Sequence, residues 1–132
     1  KLKETELNLK FILTMNKKME KTIFQKIIDK ELEADILYEN ENIIAFNDIA
    51  PIAPTHILIV PKKMIASIND LEKEDKELIG EMFILAKELA EKYKINESGY
   101  RTVFNTNGDA GQTVFHIHLH LIGGRKLDWP PG

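Results

Sequence analysis

Hydrophobic residues recur along the chain with two spacings, one typical of strands and one typical of helices. The helical spacing occurs first at residues 22–30, which predict a short amphipathic helix that the Thr22 hydroxyl can cap. It occurs again over residues 71–93, where apolar residues three and four apart alternate with Glu and Lys and predict a long helix. We expect the apolar stripe of the long helix to pack in the core: Leu78, Ile79, Met82, Phe83, Ala86, Leu89, Ala90 and Tyr93.

Short apolar runs predict five strands, at residues 36–38, 43–46, 56–60, 100–104 and 116–122. The first two runs flank a polar turn and therefore predict a hairpin. Pro51 and Pro54 indicate a loop before the third strand, because proline has no N–H for a ladder. Only one long helix interrupts the strands, which favours an antiparallel sheet with helices on one face. The expected fold class is α+β, with a five-stranded antiparallel sheet, one short helix and one long helix.

Composition excludes several classes of protein. The chain has 132 residues, a net charge of −3 and no cysteine, so we expect one domain, no general nucleic-acid binding and no thiolate zinc site. No apolar run approaches the length of about 20 residues that spans a bilayer. We expect residues 1–21 to be a disordered N-terminal extension and residues 22–132 to be a single domain, located in the cytoplasm and in some cases also the nucleus.

Three of the four histidines lie close together near the end of the chain. His116, His118 and His120 alternate with apolar residues, which is the pattern of a half-buried strand. Ile117 and Leu119 would then face the core. The three histidines would share the other face at a spacing of roughly 6.5 to 7 Å. This concentration indicates a function that uses imidazole.

Two other interpretations of the histidine face have to be weighed. A merely solvated face is a weak one, because Ser, Thr, Lys and Glu fill such faces more commonly and protonated imidazoles would repel one another. A metal site is a stronger alternative, since neutral imidazole is the commonest nitrogen ligand for Zn²⁺ and His-x-His is a familiar spacing. The triplet alone does not decide between metal binding and catalysis.

A loop rich in glycine and neutral donors, residues 105–115, leads into the histidine strand. Gly108 and Gly111 permit backbone conformations that expose N–H groups, while Asn105, Gln112 and Thr113 add neutral donors suited to an anion. By itself this composition is more typical of an ordinary hairpin loop. Because the loop leads directly into three aligned imidazoles, we interpret it as an anion-binding loop.

An anion-binding loop beside imidazoles favours a reaction at phosphorus over a metal site. Neutral imidazole is a competent nucleophile near pH 7, a second ring can orient it, and a third can act on phosphate oxygens or the leaving group. Donors on the loop can meet the charge on the non-bridging oxygens. The sequence has neither a Walker-type phosphate loop nor an evident carboxylate cluster for Mg²⁺. We therefore expect metal-independent chemistry without a cofactor.

The run 116–122 has the form His-φ-His-φ-His-φ-φ, with φ hydrophobic, and resembles the motif of the histidine triad superfamily. Residues 46–49, 53–56, 60–63 and 123–125 and the ending 129–132 resemble the Hint branch, the histidine triad nucleotide-binding proteins. The resemblance runs from about Thr22 to Gly132. It implies a HIT-like fold in which two five-stranded sheets join across a homodimer.

The resemblance implies a hydrolase of purine nucleoside phosphoramidates, such as adenosine 5′-monophosphoramidate. AMP and an amine would be released through a covalent nucleotidyl-histidine intermediate. His118, the middle histidine of the motif, matches the family's nucleophile; His116 and the earlier His56 match its supporting residues. His120 matches the ring that contacts the phosphate. Thr113 stands where many relatives have serine, so the hydroxyl is kept and we expect activity with a changed leaving-group preference.

A nucleotide site is implied by the same resemblance. Asp48 matches the carboxylate that accepts the ribose hydroxyls, and Asn105, Gly111, Gln112 and Thr113 match the phosphate and leaving-group loop. Without the family, the apolar residues that match the base slot are more typical of a core. The site would be completed by His118, His120 and that slot: Ile23, Phe24, Ile27, Leu32, Phe46 and Ile49.

The partners that the resemblance implies are purine nucleoside monophosphate derivatives of the AMP class and a second copy of the chain. The apolar ending Trp129-Pro130-Pro131 agrees with a dimer in which the C-terminal segment lies near the partner's active site. Other protein partners are not indicated. Two alternative functions stay open: a dinucleoside polyphosphate hydrolase or DNA-deadenylating relative, and a non-enzymatic nucleotide- or zinc-binding scaffold.

Overall fold

The computed structural model describes residues 3–10 and 20–132. A first helix, α1, covers residues 4–10, and all of its side chains are exposed. The rest of the expected N-terminal extension, at residues 1–2 and 11–19, lies outside the described residues. The division of the chain at residue 21 therefore stays a prediction. Within the described ranges, no helix is both long enough and apolar enough to cross a membrane.

One antiparallel sheet of five strands, in the order β1-β2-β3-β5-β4, forms the centre of the fold. This sheet and its helices confirm the predicted α+β class. In the register of the central strands, Leu58 lies opposite His120 and Ile57 lies opposite Leu121. The strands are β1 (Ile36–Glu39), β2 (Ile43–Asn47), β3 (Thr55–Pro61), β4 (Tyr100–Val103) and β5 (Leu119–Gly123).

The two predicted helices are α2 (Ile23–Ile28) and α3 (Lys76–Lys92). The Thr22 hydroxyl caps α2 by accepting the Gln25 N–H at 3.1 Å, as the sequence predicted. Helix α3 begins later than expected, because residues 68–70 and 73–75 form separate 3-10 turns. Each of these turns is closed by the carboxylate of its last residue, Asp70 or Asp75, which accepts a backbone N–H at the start of the turn.

The main core lies between α3 and one face of the sheet. Phe83 was expected in this core, but it is 42% exposed, and its ring packs edge-on against Phe104 at 5.8 Å between centroids. It lies one residue, or about 100° around the helix, from the fully buried Met82. Leu85 takes a buried position that the sequence analysis did not assign. The buried residues of α3 are Met82, Leu85, Ala86, Leu89 and Ala90.

The opposite face of the sheet is covered by α2, so the expectation that the helices share one face was wrong. Phe24 and Ile27 of α2 form a second cluster with residues of β2 and β3. The physical reason is that β2 and β3 are apolar on both faces and need cover on both sides. Their residues in this cluster are Ile44, Phe46, Leu58 and Val60. The histidine face of the sheet therefore lies beside α2.

The histidine strand is shorter than predicted, since β5 begins at Leu119. The register places Leu119 opposite Ile59, which puts Pro61 opposite residue 117, and proline has no N–H to continue the ladder. Ile117 instead donates its N–H to the Ile65 carbonyl at 2.7 Å. The predicted alternation still holds, because Leu119 and Leu121 pack in the main core while His118 and His120 line the cavity on the other face.

Candidate active site

A cavity of about 370 Å³ opens on the histidine face of the sheet. Its lining brings together most of the residues that the sequence analysis assigned to a nucleotide site. Three assigned residues, His56, Gln112 and His116, do not line it. The assigned residues that do line it are Ile23, Phe24, Ile27, Leu32, Phe46, Asp48, Ile49, Asn105, Gly111, Thr113, His118 and His120.

The ring of His118 is held in one orientation at the cavity wall. Its Nδ1 lies 2.8 Å from the carbonyl oxygen of His116, and a carbonyl can only accept, so Nδ1 carries the proton. Burial lowers the pKa of His118, and the smaller opposing effects of that carbonyl and of Asp48 do not cancel it. The ring is therefore neutral near pH 7, with an unprotonated Nε2, which is the state that a nucleophile requires.

The ring of Phe24 also packs against His118. The two ring centroids are 4.8 Å apart at an interplanar angle of 81°, an edge-to-face contact. Phe24 makes a similar contact with Phe46 at 5.6 Å. The apolar wall of the cavity is thus continuous with the surroundings of the His118 ring.

His116 is fully buried and lies behind the cavity. Its Nε2 is 2.6 Å from the Pro61 carbonyl, to which it donates, and burial lowers the pKa of the ring. His116 thereby anchors the end of β3 with its side chain and orients His118 with its carbonyl. Both contacts agree with the predicted role of His116 as a residue that supports His118.

His56 and His120 form a hydrogen-bonded pair, with 2.9 Å between His56 Nε2 and His120 Nδ1. The Ile52 N–H donates to the other ring nitrogen of His56 at 3.2 Å. Burial lowers the pKa of His56 against the opposing charge of Asp48. Burial, together with His118 and His56, lowers the pKa of His120 to about 4. Both rings are therefore neutral near pH 7.

Asp48 follows β2 and lines the cavity beside this pair. One carboxylate oxygen accepts the Ala50 N–H at 2.8 Å, and the other lies 3.4 Å from His56 Nε2. A carboxylate has about four acceptor positions. Asp48 can therefore still accept from hydroxyl groups of a ligand.

Potential metal ligands also meet here, since atoms of Asp48, His56 and His120 lie within 4.8 Å of one another. A metal on His56 Nε2 would require the ring proton on Nδ1. A protonated Nδ1 would face the Ile52 N–H, which is also a donor. In metal-bound histidines the nitrogen that does not bind the metal normally donates to an acceptor. The hydrogen bonds of His56 therefore oppose metal binding by this group.

The side chain of Gln112 stabilises the glycine-rich loop, while its expected place in the anion site stays a prediction. Its Oε1 accepts the Asn107 N–H at 2.9 Å, and its Nε2 donates to the carbonyls of Ala66 at 2.8 Å and Val114 at 3.1 Å. Gln112 itself does not line the cavity, although Val114 does. After the 3-10 turn at Gly108–Ala110 in this loop, Gly111 has a positive φ of 81°, a conformation that glycine adopts without strain.

Several lining residues escaped the sequence analysis. Val114 could have been found, because it lies two residues before His116 and would share the face of His116 and His118 in an alternating strand. Asn47 precedes Asp48 at the end of β2 and was detectable as its polar neighbour. The others carry no distinguishing pattern: Glu33, Ala34 and Leu58.

Comparison with known proteins identifies the family. The HIT domain model matches residues 29–127. An uncharacterized HIT-like protein of Synechococcus elongatus is 50% identical over 113 residues, which cover 86% of this chain and 98% of the relative. The purine nucleoside phosphoramidase of Escherichia coli is 49% identical over 108 residues, covering 82% of this chain and 91% of the relative. A HIT family hydrolase from Legionella pneumophila is 53% identical with a TM-score of 0.83, covering 85% of this chain and all of that structure. The chain belongs to the HIT domain family, and the resemblance noted from its motif is confirmed.

The stability of the fold is expected to decrease below pH 6.5. In the unfolded chain the histidines take up protons near their ordinary pKa of 6.5, whereas the folded pKa of His120 is about 4. The stabilisation is complete above pH 6.5 and is lost as the pH falls toward 4. For His120 alone the full difference is about 3 kcal/mol. The measurement is urea unfolding between about pH 7 and 5, where most carboxylates stay ionised.

The matched variant for this test is His120→Gln, which should flatten the pH dependence of the unfolding free energy. An unfolding free energy that does not change between these pH values in the unmodified protein would contradict the burial of neutral histidines.

Proposed function

We propose that this HIT-family protein hydrolyses the P–N bond of purine nucleoside phosphoramidates and releases a nucleoside monophosphate and an amine. The observation that carries the proposal is the neutral His118 ring at the cavity wall, oriented by its bond to the His116 carbonyl. The name of the Escherichia coli relative, purine nucleoside phosphoramidase, supports the choice of the P–N bond.

The nucleoside occupies the apolar part of the cavity. A volume of about 370 Å³ lies within the range of small-molecule sites. The base packs between side chains of α2 and β2, among them Phe24 and Phe46. Asp48, at the polar end, accepts the ribose hydroxyls with the acceptor positions that the Ala50 N–H leaves open.

The reaction begins when His118 Nε2 attacks the phosphorus atom. A bond forms between Nε2 and phosphorus, the P–N bond of the substrate breaks, and the departing amine takes up a proton from solvent. The His118 ring becomes cationic in this step, so its Nδ1–H bond to the His116 carbonyl gains charge assistance. Water then displaces Nε2 from phosphorus, giving the nucleoside monophosphate, a proton and the neutral ring.

Groups around His118 stabilise the phosphoryl oxygens. Asn105 and Thr113 bring neutral donors to the same wall, beside the backbone of Gly111 and the ring of His120. Preorganised donors of this kind stabilise charge that develops in the transition state. A second cavity, of about 1080 Å³, shares Asn105 and His120 with the first and includes Trp129, so the amine has room to leave on that side.

Replacing His118 by Asn is expected to abolish turnover of an adenosine phosphoramidate while nucleotide binding persists. The loss should be on the order of 10³-fold or more, because the bond-forming atom is removed. The unmodified protein should show a mass increase of one nucleotidyl group after rapid acid quenching, and the variant should not. Added EDTA should leave the rate unchanged.

The control for this experiment is Phe115→Leu, since Phe115 is 45% exposed and does not line the cavity. A His118→Asn variant that turns over at the unmodified rate would refute the nucleophile. Faster turnover of a diadenosine polyphosphate than of the phosphoramidate would refute the substrate class.

We also propose that the protein is a homodimer joined along β4. This strand lies at an edge of the sheet, and an exposed strand edge requires protection in solution. Tyr100 of β4 is 38% exposed, and Phe83, which packs against Phe104 just after β4, is 42% exposed. Ile84, the next residue to Phe83 on α3, is 58% exposed. An apolar surface beside an open edge favours cover by a second copy.

The variant Ile84→Glu is expected to shift the dimer to monomer, because it would bury a charge in the contact. Sedimentation velocity at micromolar concentration measures the change. Met64→Glu is the control, since Met64 has similar exposure, 54%, on another part of the chain. A monomeric unmodified protein would contradict the proposal.

A further inference from the structure

His56 is bonded through both ring nitrogens, and these contacts determine where its proton lies. The Ile52 N–H points at Nδ1 with a distance of 3.2 Å. A backbone N–H can only donate, so Nδ1 accepts and carries no proton. In the neutral ring the proton is therefore on Nε2.

The surroundings of His56 Nε2 agree with this assignment. His120 Nδ1 lies 2.9 Å away, and a carboxylate oxygen of Asp48 lies 3.4 Å away. The carboxylate oxygen can only accept, and neutral His120 can accept at Nδ1, so both contacts are compatible with a proton on Nε2. The obligatory donor at Nδ1 and the obligatory acceptor near Nε2 select a single tautomer of His56.

The tautomer of His56 in turn determines that of His120. Since His56 Nε2–H donates to His120 Nδ1, the proton of neutral His120 is on Nε2. This nitrogen is buried and has no hydrogen-bond partner among the described residues. His120 also lines the cavity that holds His118.

We propose that the backbone N–H of Ile52 is a positioning group that, through His56, makes His120 a hydrogen-bond donor toward the phosphoryl group of the substrate. The identification of a phosphoryl group as the acceptor rests on the proposed function. The assignment of which ring nitrogens of His56 and His120 carry protons does not. His120 thus acts through its Nε2–H and not as a base. Each hydrogen bond in the chain donates in the same direction, from Ile52 to His56 and from His56 to His120.

The segment that carries Ile52 is held in place from several sides. Pro51 and Pro54 restrict its backbone. Arg125 Nε donates to the Ile52 carbonyl at 3.1 Å, and Asp48 accepts the Ala50 N–H. The same loop therefore carries Asp48, the carboxylate proposed to bind the ribose hydroxyls. Through Ile52 it also determines the position of the His120 proton proposed to bind the phosphoryl group.

The first experiment measures the imidazole ¹⁵N chemical shifts of the ligand-free protein at neutral pH, where protonated and unprotonated ring nitrogens differ clearly. We expect an unprotonated Nδ1 and a protonated Nε2 in both His56 and His120. Protonated Nδ1 in either ring would overturn the proposal without any variant. Failure of the unmodified protein to cleave phosphoramidates would refute the proposed function and leave this assignment intact.

The second experiment compares Ile52→Pro, which removes the N–H, with Ile52→Ala, which keeps it and removes the same exposed side chain. Ile52→Ala should retain the unmodified ¹⁵N shifts of both rings. Ile52→Pro should show mixed tautomers of His56 and His120 and a kcat about tenfold lower. This loss is smaller than the 10²–10³-fold typical of deleting a donor, because His120 remains.

If Ile52→Pro does not fold, Arg125→Met replaces it, because it releases the Ile52 carbonyl and Arg125 does not line the cavity that holds His118. It should produce a smaller change in the same ¹⁵N shifts. A folded variant that has lost the Ile52 contact, yet keeps the unmodified His120 shifts and kcat, would overturn the role of Ile52.

Discussion

The hydrogen bond from His118 Nδ1–H to the His116 carbonyl is the contact on which the site depends. It can form because His116 precedes β5, which begins at Leu119, so the His116 carbonyl lies outside the ladder. In a regular central strand that carbonyl would bond to a neighbouring strand. Free of the ladder, it accepts from His118 and leaves Nε2 unprotonated at the cavity. The position at which β5 begins thus determines the orientation of the proposed nucleophile.

Burial on the face covered by α2 supplies the second requirement, a neutral ring. It lowers the pKa of all four histidines below 6.5. Hydrogen-bond partners then determine which nitrogen of each ring carries the proton, so neighbouring imidazoles can differ in role. In the proposed reaction His118 offers a lone pair, whereas His120 offers an N–H. The same burial reduces stability in acid, because the unfolded chain binds protons that the folded rings do not.

Periodicity was sufficient to predict the sheet, both helices of the domain and the alternation around the histidines, because each depends on local spacing. The motif predicted the family, and with it the residues that the fold gathers at one cavity. Three features depended on contacts in the folded chain that the local spacing does not reveal, and they could not be predicted. Gln112 bonds to Ala66, α2 covers the face opposite α3, and the Ile52 N–H selects the tautomer of His56. Nothing in the local pattern distinguishes Gln112 as a loop-stabilising residue from Gln112 as an anion ligand.

A crystal structure with bound AMP tests the central claim, that the oriented His118 ring faces the phosphorus of a nucleotide held in the adjacent cavity. The account predicts the base against Phe24 and Phe46, the ribose hydroxyls on Asp48, and the phosphate within reach of Nε2 of both His118 and His120. A phosphate bound away from His118 would contradict it. So would a metal ion held by Asp48, His56 and His120 between the protein and the nucleotide.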